Sequence, residues 1–243
     1  MRVVVIGGTG RVGSRVVSSL SGLGHDAISA SPRSGVDSIT GRGLAEVLRG
    51  ADVVVDTVEV RSADMERAKS DLSTATRNIA EVGLRAGIRH HVLLSVVGTP
   101  DLQESGYFQV KAAQEERTRS GGLPFTIVRS TQFFDFLGTI ADMGMVDGVI
   151  RVPPADMQPA SIDDVAGAIG RLAVGEPVND VRELGGAERS SMADFVARWL
   201  RRSDDPRPIA TDDHATFAGA HITKSTLVPG RDAIILPSRL QES

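Results

Sequence analysis

The chain of 243 residues contains no cysteine, only one tyrosine and one tryptophan, and only three lysines. The lack of cysteine excludes disulfide bonds, thiolate metal ligands and cysteine nucleophiles together. No segment approaches the roughly 20 consecutive apolar residues of a membrane-spanning helix. The first residues, MRVVVIGG, form too short an apolar run for the core of a signal peptide. We therefore expect a soluble, cytoplasmic protein with no membrane partner.

The charge of the chain is small and evenly distributed. The formal net charge is −4, and arginines and acidic residues are interspersed without a basic block. Binding to nucleic acid by electrostatic attraction is therefore not expected. The expected partner is a small-molecule substrate, and a homo-oligomer stays open. A length of 243 residues fits one large domain.

Strand-like and helix-like segments alternate through the first two thirds of the chain. This rhythm predicts an α/β fold, a doubly wound parallel sheet with helices on both faces. The predicted strands are Arg2–Ile6, Asp26–Ala30, Asp52–Asp56, His91–Val97 and Pro124–Arg129. The predicted helices are Val12–Leu23, Leu44–Leu48, Ala63–Ala86 and Tyr107–Ser120.

The rhythm loosens from Phe133 onward. A loop rich in glycine, methionine and proline is expected up to Pro159, followed by helices at Ile162–Val174 and Met192–Arg201. We expect a single domain over residues 1–243, with a core at about 1–132 and a C-terminal appendage at about 133–243.

The first strand runs directly into the sequence GGTGRVG, which places Gly7, Gly10 and Gly13 three residues apart. Glycines let the backbone approach a pyrophosphate, and the helix that follows offers its first N–H groups to the negative charge. A strand before the loop and an amphipathic helix after it are the context in which this pattern indicates dinucleotide binding. The loop residues expected to line the cofactor are Gly7, Thr9, Gly10, Arg11, Val12 and Gly13.

The end of the second strand bears on which dinucleotide is bound. NAD-binding proteins usually carry an acidic residue there, whereas NADP-binding proteins supply a cation for the 2′-phosphate. The sequence AISASPRSG has no acid between Ala27 and Gly35, and it presents Ser31 and Arg33 instead. Arg11 adds a second positive charge from the loop. NADP(H) is therefore preferred over NAD(H), with a solvated loop arginine as the alternative for Arg33.

With these segments in order, the chain resembles the atypical short-chain dehydrogenases/reductases, the NmrA-like NAD(P)-binding proteins. The segments that carry the resemblance are GGTGRVG, LLSVVGT, YFQVKAAQEE, PFTIVRSTQFFDF and SIDDVAGAI. The resemblance implies a Rossmann-like sheet with a small C-terminal part that covers the substrate. It also implies that Asp37 contacts the adenine amine. Enzymes of this family reduce carbonyls, quinones or activated double bonds, whereas other members are dinucleotide sensors without turnover.

Tyr107 and Lys111 are four residues apart on a predicted helix and so share a face. Hydride delivery to a ketone builds alkoxide charge that a proton donor must quench, and a phenol beside a lysine suits that task. The family assigns the lysine to the cofactor ribose and a strand serine to the substrate oxygen. Ser95 is the candidate serine. Relatives often read S-S-x-G here, whereas this chain reads Ser95-Val96-Val97-Gly98. If the register follows the glycine, Ser95 lies one residue away from the expected place, and Thr99 is the alternative. Tyr107 could also pack on the nicotinamide, and Lys111 could act as an anchor alone.

The remaining site residues follow the fifth strand. The backbone at Ser130 is expected to meet the nicotinamide carboxamide, as in the family. Gln132, Phe133 and Phe134 are expected to line a pocket for an apolar or aromatic substrate, with core packing as the alternative for the phenylalanines. No metal site is predicted. His90-His91 and the loose group Asp212, Asp213, His214 and His221 match no metal motif.

Three functions are compatible with these residues. The first is an NADPH-dependent reductase of a small carbonyl, quinone or enone that uses Tyr107 and Lys111. The second is an NmrA-like dinucleotide-binding redox sensor that regulates a partner without turnover. The third, a nucleotide-sugar epimerase, usually needs a longer C-terminal domain. Because a pure sensor has no need of the phenol, the reductase is favoured.

Overall fold

The computed structural model describes residues 1–59 and 64–240. Seven strands form one sheet. They are β1 (Arg2–Ile6), β2 (Asp26–Ala30), β3 (Val53–Asp56), β4 (His90–Val96), β5 (Phe125–Ser130), β9 (Asp180–Gly185) and β12 (Ile234–Ile235). Their order in the sheet is β12-β9-β5-β4-β3-β1-β2. The pairings of β1 with β2 and β3, of β3 with β4, and of β12 with β9 are parallel. The predicted Rossmann-like α/β fold is confirmed.

Seven α-helices accompany the strands over the described residues. They are α1 (Arg11–Gly22), α2 (Leu44–Val47), α3 (Met65–Ala86), α4 (Gly106–Ser120), α5 (Leu137–Met143), α6 (Ile162–Ala173) and α7 (Met192–Arg202). The predicted start of the third helix at Ala63 lies outside the described residues. Its predicted end is confirmed, because Gly87 follows with a φ of +75°, the left-handed conformation that ends helices. No helix of the described residues has the length and apolar character to cross a membrane.

The chain divides into two compact units that interleave in sequence. The first consists of Met1–Ser95, Val110–Arg129 and Val165–Arg182, and the second of Val96–Gln109, Ser130–Asp164 and Glu183–Ser243. The division of the chain into a core and an appendage near residue 132 stays a prediction.

The first unit is built on β1 and β3, whose central valines are fully buried. In the parallel register Val4 lies beside Val54, and both belong to one apolar cluster. Such strands are apolar throughout because helices cover both faces of a parallel sheet. Val16 and Leu20 are four residues apart on α1 and completely buried, so α1 turns one apolar face inward. This packing fixes the start of α1 at the end of β1.

The second unit contains structure where the sequence predicted a loop up to Pro159. Helix α5 lies there, followed by strands β6 (Met145–Val146), β7 (Val149–Val152) and β8 (Asp156–Met157). A Cβ at Gly138 would come within 2.6 Å of the Trp199 ring, so the indole packs directly against this glycine. Glycine lowers helix propensity, which hides helix α5 from a reading of the sequence. That contact joins residues 61 positions apart and leaves no periodic signal in the sequence. Strands β10 (Ser190–Ser191) and β11 (Ile209–Thr211) complete this unit.

Candidate dinucleotide site and reaction residues

The glycine loop between β1 and α1 has no room for side chains at three positions. Gly7 has a φ of +81°, and a Cβ on it would lie 2.8 Å from the backbone oxygen of Thr57. A Cβ on Gly13 would lie 2.3 Å from the Gly7 carbonyl oxygen, and one on Gly8 would lie 2.6 Å from Ser29 Oγ. The predicted pattern of three glycines did not include Gly8. These close approaches bring the first turn of α1 against the end of β1.

The N-terminus of α1 is open to an anion. Gly10 is its N-cap residue, no side chain of the described residues caps the helix, and its first turn carries no acidic residue. The first N–H groups of a helix have no partner within the helix, and they favour negative charge. Thr9, Gly10 and Arg11 are exposed at this end. The loop therefore fits the pyrophosphate of a dinucleotide.

Ser29 provides a second observation at the same place. Its hydroxyl is buried beside Gly8 and has no hydrogen-bond partner among the described residues. Buried polar atoms are nearly always hydrogen-bonded, so an unpartnered hydroxyl next to a glycine cradle fits a site for a polar ligand. The sequence pattern did not single out Ser29, because its proximity to Gly8 follows from the parallel pairing of β1 with β2.

The segment after β2 carries the residues predicted to read the ribose. Ser31 is buried at the end of the strand, and Arg33 is exposed in a 3-10 turn at Pro32–Ser34. Arg33 makes no ion pair in the part of the chain that the structure describes. Asp37 has a local role, since its Oδ1 accepts hydrogen bonds from the N–H groups of Ile39 at 2.9 Å and Thr40 at 3.3 Å. Its predicted contact with adenine stays a prediction.

Lys111 is 2% exposed on α4. Its Nζ donates to the Leu94 carbonyl oxygen at 3.0 Å and to Gln114 Oε1 at 2.6 Å. An ammonium has three N–H donors, so one remains beyond these two bonds. The Nε2 group of Gln114 is buried and has no hydrogen-bond partner within the described residues. Gln114 is therefore a polar neighbour of Lys111 that the Y-x-x-x-K pattern did not reveal.

Asp56 ends β3 immediately before Thr57, the residue that contacts the glycine loop. It is completely buried, and its carboxylate accepts hydrogen bonds from the Val58 N–H at 3.0 Å and the Thr76 hydroxyl at 3.4 Å. Burial raises the pKa of this carboxyl from 3.8 to about 6, although the Val58 N–H and the Lys111 charge act in the opposite direction. A titratable acid thus lies within the electrostatic range of Lys111, and sequence reasoning missed it because DVVVD indicates only a buried strand.

The Ser95 hydroxyl is committed to an ion-pair network. It donates to Glu115 Oε1 at 2.6 Å, and Arg129 forms two bonds to the same carboxylate, at 2.9 and 2.7 Å. Arg119 adds a third arginine bond at 3.0 Å. Although burial works the other way, hydrogen bonds from Arg129 and Ser95 hold the pKa of Glu115 below its usual value. Ser95 itself is fully buried against this ionised carboxylate.

The alternative hydroxyl, that of Thr99, is also engaged, because it donates to the Val96 carbonyl oxygen at 2.6 Å. Tyr107 and Val96 are both half-buried and pack against one apolar cluster that includes Phe108. The Tyr107 ring meets the Phe108 ring edge to face with centroids 5.3 Å apart. Ser95, for its part, donates to Glu115, which lies two helical turns after Tyr107 on α4.

The segment after β5 carries unsatisfied polar groups. The Ser130 hydroxyl donates to the Thr131 carbonyl oxygen at 2.9 Å. Thr131 Oγ1 and Gln132 Nε2 are buried and lack hydrogen-bond partners among the described residues. The backbone around them is anchored, since Gln132 accepts from the Ala160 N–H at 3.0 Å. These two side chains therefore sit on a fixed backbone with hydrogen-bonding capacity for a ligand.

Phe133 and Phe134 have different surroundings. Phe133 pairs with Ala160 in an isolated bridge. Phe134 packs against the apolar cluster of the second unit and lines a surface cavity of about 260 Å³ together with Trp199 and Arg202. Both are half-buried. Their predicted role as substrate contacts stays a prediction.

The histidine pair that opens β4 is enclosed in the protein. His90 Nε2 lies 2.8 Å from the Thr126 hydroxyl, and both ring nitrogens of the completely buried His91 have no hydrogen-bond partner in the described segments. Burial, with a smaller effect of His90, lowers the pKa of His91 from 6.5 to about 4. Over residues 1–59 and 64–240, no group of three or more histidine, aspartate or glutamate residues is arranged to hold a metal ion.

The parallel sheet and the glycine cradle at an uncapped helix define a dinucleotide-binding protein of the Rossmann type. A family model described as NAD(P)H-binding matches residues 7–172, which is more than half of the chain. The chain therefore belongs to this NAD(P)H-binding family, and the predicted relation to NmrA-like, atypical short-chain dehydrogenases/reductases is confirmed. No curated protein sequence matches it significantly.

Solved structures with the same fold are distant in sequence. An NADPH-dependent quinone oxidoreductase of Escherichia coli in complex with NADPH is 17% identical, with a TM-score of 0.68 over 87% of this chain and 78% of that chain. A short-chain dehydrogenase/reductase superfamily protein of Agrobacterium tumefaciens with bound NAD is 20% identical, with a TM-score of 0.68 over 88% and 85%. The triphenylmethane reductase of a Citrobacter species with NADP(H) is 14% identical, with a TM-score of 0.62 over 87% and 79%.

Proposed function

We propose that the protein is an NADPH-dependent reductase of a small carbonyl, quinone or enone substrate. The observation that carries the proposal is helix α4, which holds a half-buried tyrosine, Tyr107, and one turn later the buried Lys111. Earlier in the chain, the glycine loop between β1 and α1 fits a dinucleotide. The proteins of similar fold that are named as a quinone oxidoreductase and a triphenylmethane reductase support a reductase rather than another use of the cofactor.

The choice of NADPH rests on the segment after β2. No acidic residue follows the strand as far as Gly35, and Arg33 presents an exposed guanidinium there. A guanidinium forms strong, charge-assisted hydrogen bonds to phosphate oxygens. We assign Arg33, with Ser31 beside it, to the 2′-phosphate.

Bound NADPH would supply the hydride for the substrate carbon and would become NADP⁺. Tyr107 donates the proton to the substrate oxygen, which gives the reduced substrate. Two N–H groups of the Lys111 ammonium bond to Leu94 and Gln114. With the third, Lys111 holds the ribose of the cofactor. Its charge also favours loss of the phenol proton. Gln132 donates a hydrogen bond to a polar group of the substrate from Nε2, which has no partner among the described residues. Phe133 and Phe134 contact the apolar part of the substrate.

A dinucleotide sensor is the second candidate, and one observation favours it. The hydroxyl protons of Ser95 and Thr99 are already donated to Glu115 and to the Val96 carbonyl. A sensor needs only the cofactor site and has no use for a free serine hydroxyl. We prefer the enzyme because the phenol of Tyr107 is retained and because the Gln132 amide lacks a partner within the part of the chain that the structure describes.

NADPH consumption in the presence of a panel of acceptors tests this proposal. The panel contains 1,4-naphthoquinone, 2-cyclohexenone and acetophenone, and calorimetry measures NADPH binding in parallel. We expect tight NADPH binding and steady oxidation with at least one acceptor, above the rate without protein. Tight binding without acceleration by any of the three would refute the reductase and favour the sensor.

A further inference from the structure

We propose that Gln114 is a positioning residue for the cofactor. Its side-chain oxygen holds the Lys111 ammonium in the orientation in which the third N–H of that ammonium meets the ribose. This inference rests on the proposed function, which assigns Lys111 to the ribose of NADPH. It goes further because Gln114 lies outside the Y-x-x-x-K pattern and acts on the cofactor only through Lys111.

A lysine side chain does not fix its own end, because the ammonium sits on a flexible stem of four carbons and its three donors rotate. In this protein two acceptors hold the ammonium of Lys111. Its Nζ donates to the Leu94 carbonyl oxygen on β4 at 3.0 Å and to Gln114 Oε1 on α4 at 2.6 Å. Two acceptors at fixed positions determine the direction of the third N–H, whereas a single acceptor lets the ammonium turn about the remaining bond. The Leu94 acceptor is a backbone atom, so Gln114 is the side chain that completes the arrangement.

Gln114 is itself held in one orientation. It is completely buried on α4, three residues after Lys111, a spacing at which helical side chains are neighbours. Because an ammonium has no acceptor atom, the amide must present its oxygen to Lys111 and not its nitrogen. That nitrogen, Nε2, is buried and makes no hydrogen bond to the described residues. Within these residues, the bond to Lys111 is therefore the contact that accounts for a buried amide at position 114.

The acceptor for Lys111 is neutral, although a carboxylate follows it directly in the chain. The Glu115 carboxylate accepts hydrogen bonds from Ser95 and from two arginines. Lys111 makes no ion pair with any residue that the structure describes. The amide oxygen of Gln114 thus orients the ammonium without a direct ion pair. A glutamate at position 114 would keep an acceptor of the same shape, which offers a nearly isosteric test.

A double-mutant cycle, followed by calorimetric titration with NADPH, tests the inference. Gln114→Met keeps the length of the side chain and removes the acceptor, so we expect the Kd for NADPH to rise about three- to tenfold, as for one ordinary hydrogen bond. Lys111→Met removes a charged donor and should raise the Kd by at least about tenfold. If Gln114 acts through Lys111, the addition of Gln114→Met to Lys111→Met should cause no further rise.

Two other variants separate positioning from packing. Gln114→Glu keeps the acceptor and loses no hydrogen bond of Nε2 to the described residues, so its Kd should stay within about threefold of the wild-type value. Gln109→Met is the matched control on α4. The Nε2 group of Gln109 donates to the Gln103 carbonyl oxygen at 2.8 Å, and the Kd for NADPH should not change in this variant. Thermal unfolding checks that each variant is folded, and Gln114→Leu replaces Gln114→Met if the methionine variant does not fold.

Three outcomes would overturn the inference and leave the Lys111 anchor standing. They are equal rises in Kd from Gln114→Met with and without Lys111→Met, equal losses of affinity in Gln114→Met and Gln114→Glu, and wild-type affinity in Gln114→Met. The first two would assign Gln114 to the packing of α4. If Lys111→Met itself left the Kd for NADPH unchanged, the assignment of Lys111 to the ribose would fail, and this inference would fail with it.

Discussion

The carbonyl oxygen of Gly7 lies where a side chain on Gly13 would have to be, since a Cβ on Gly13 would approach it to 2.3 Å. Contacts under 3 Å require the backbone to shift, so Gly13→Ala should separate α1 from the loop. We expect NADPH affinity to fall by at least tenfold, measured by calorimetry, together with a lower unfolding temperature.

Gly22, at the end of the same helix, offers a matched control. A Cβ there would meet nothing within 4 Å. Gly22→Ala should therefore stabilise the protein by roughly 0.4–1 kcal/mol through the unfolded chain, and NADPH affinity should be retained. Equal effects of the two substitutions on NADPH binding would contradict the assignment of the loop.

Arg33 should discriminate between the two nicotinamide dinucleotides. If it contacts the 2′-phosphate, Arg33→Ala removes charge-assisted hydrogen bonds of about 1.5–3 kcal/mol, which corresponds to roughly a 10- to 150-fold rise in the Kd for NADPH. The Kd for NADH should hardly change, because NADH has no phosphate there. The exposed Arg49 on another segment gives the control Arg49→Ala, which should leave both values unaltered. A parallel loss of NADH and NADPH affinity in Arg33→Ala would exclude the 2′-phosphate contact.

Asp56 should lower the stability of the folded protein at neutral pH. Its pKa is about 6 in the fold and 3.8 ordinarily. The protonated carboxyl therefore stabilises the fold, and this contribution to the free energy of unfolding is fully present below pH 3.8 and is lost as pH rises to about 6. The size of the effect is on the order of 3 kcal/mol for a shift of about two units. Asp56→Asn mimics the protonated form and should flatten this part of the stability curve.

The measurement is urea unfolding between pH 4 and 7.5. Asp52→Asn is the contrasting variant. Hydrogen bonds from the Arg2 N–H and from Arg89 lower the pKa of Asp52, so removal of this carboxylate should destabilise the protein at neutral pH. If the difference in unfolding free energy between wild type and Asp56→Asn did not vary with pH, Asp56 would not be the titrating group.

His91 should have the opposite pH dependence. Its pKa is about 4 in the fold and 6.5 ordinarily, so its contribution is present above pH 6.5 and is lost as pH falls toward 4. The free energy of unfolding that the protein loses on acidification should be smaller in His91→Leu, by on the order of 3 kcal/mol. His214 is exposed, and His214→Leu is the control that should retain it. Unchanged acid sensitivity in His91→Leu would place the responsible group elsewhere.

The elements near the cofactor could be predicted because their signals are local. The predicted bounds of the first two strands, Arg2–Ile6 and Asp26–Ala30, coincide with β1 and β2. β1 is a short buried apolar run that ends at a glycine, and β2 is marked by the turn residues Gly24 and His25 before it. The spacing of Gly7, Gly10 and Gly13 likewise predicted that glycine is required at Gly7 and Gly13.

The polar contacts behind the reaction residues could not be predicted in this way. The bond from Ser95 to Glu115 joins residues 20 positions apart on different elements, and no periodicity encodes it. The sequence indicated only that the serine register was shifted by one. Asp56 likewise resembles an ordinary strand end, and its raised pKa follows from burial beneath α3, which brings Thr76 to it.

The most direct test of the reductase is single-turnover oxidation of bound NADPH by 1,4-naphthoquinone in wild type and Tyr107→Phe. The substitution removes one hydroxyl and keeps the ring that packs against Phe108. If Tyr107 donates the proton, the rate should fall by about 10²- to 10⁴-fold, with NADPH affinity unchanged. Oxidation at the wild-type rate in Tyr107→Phe would contradict the central claim.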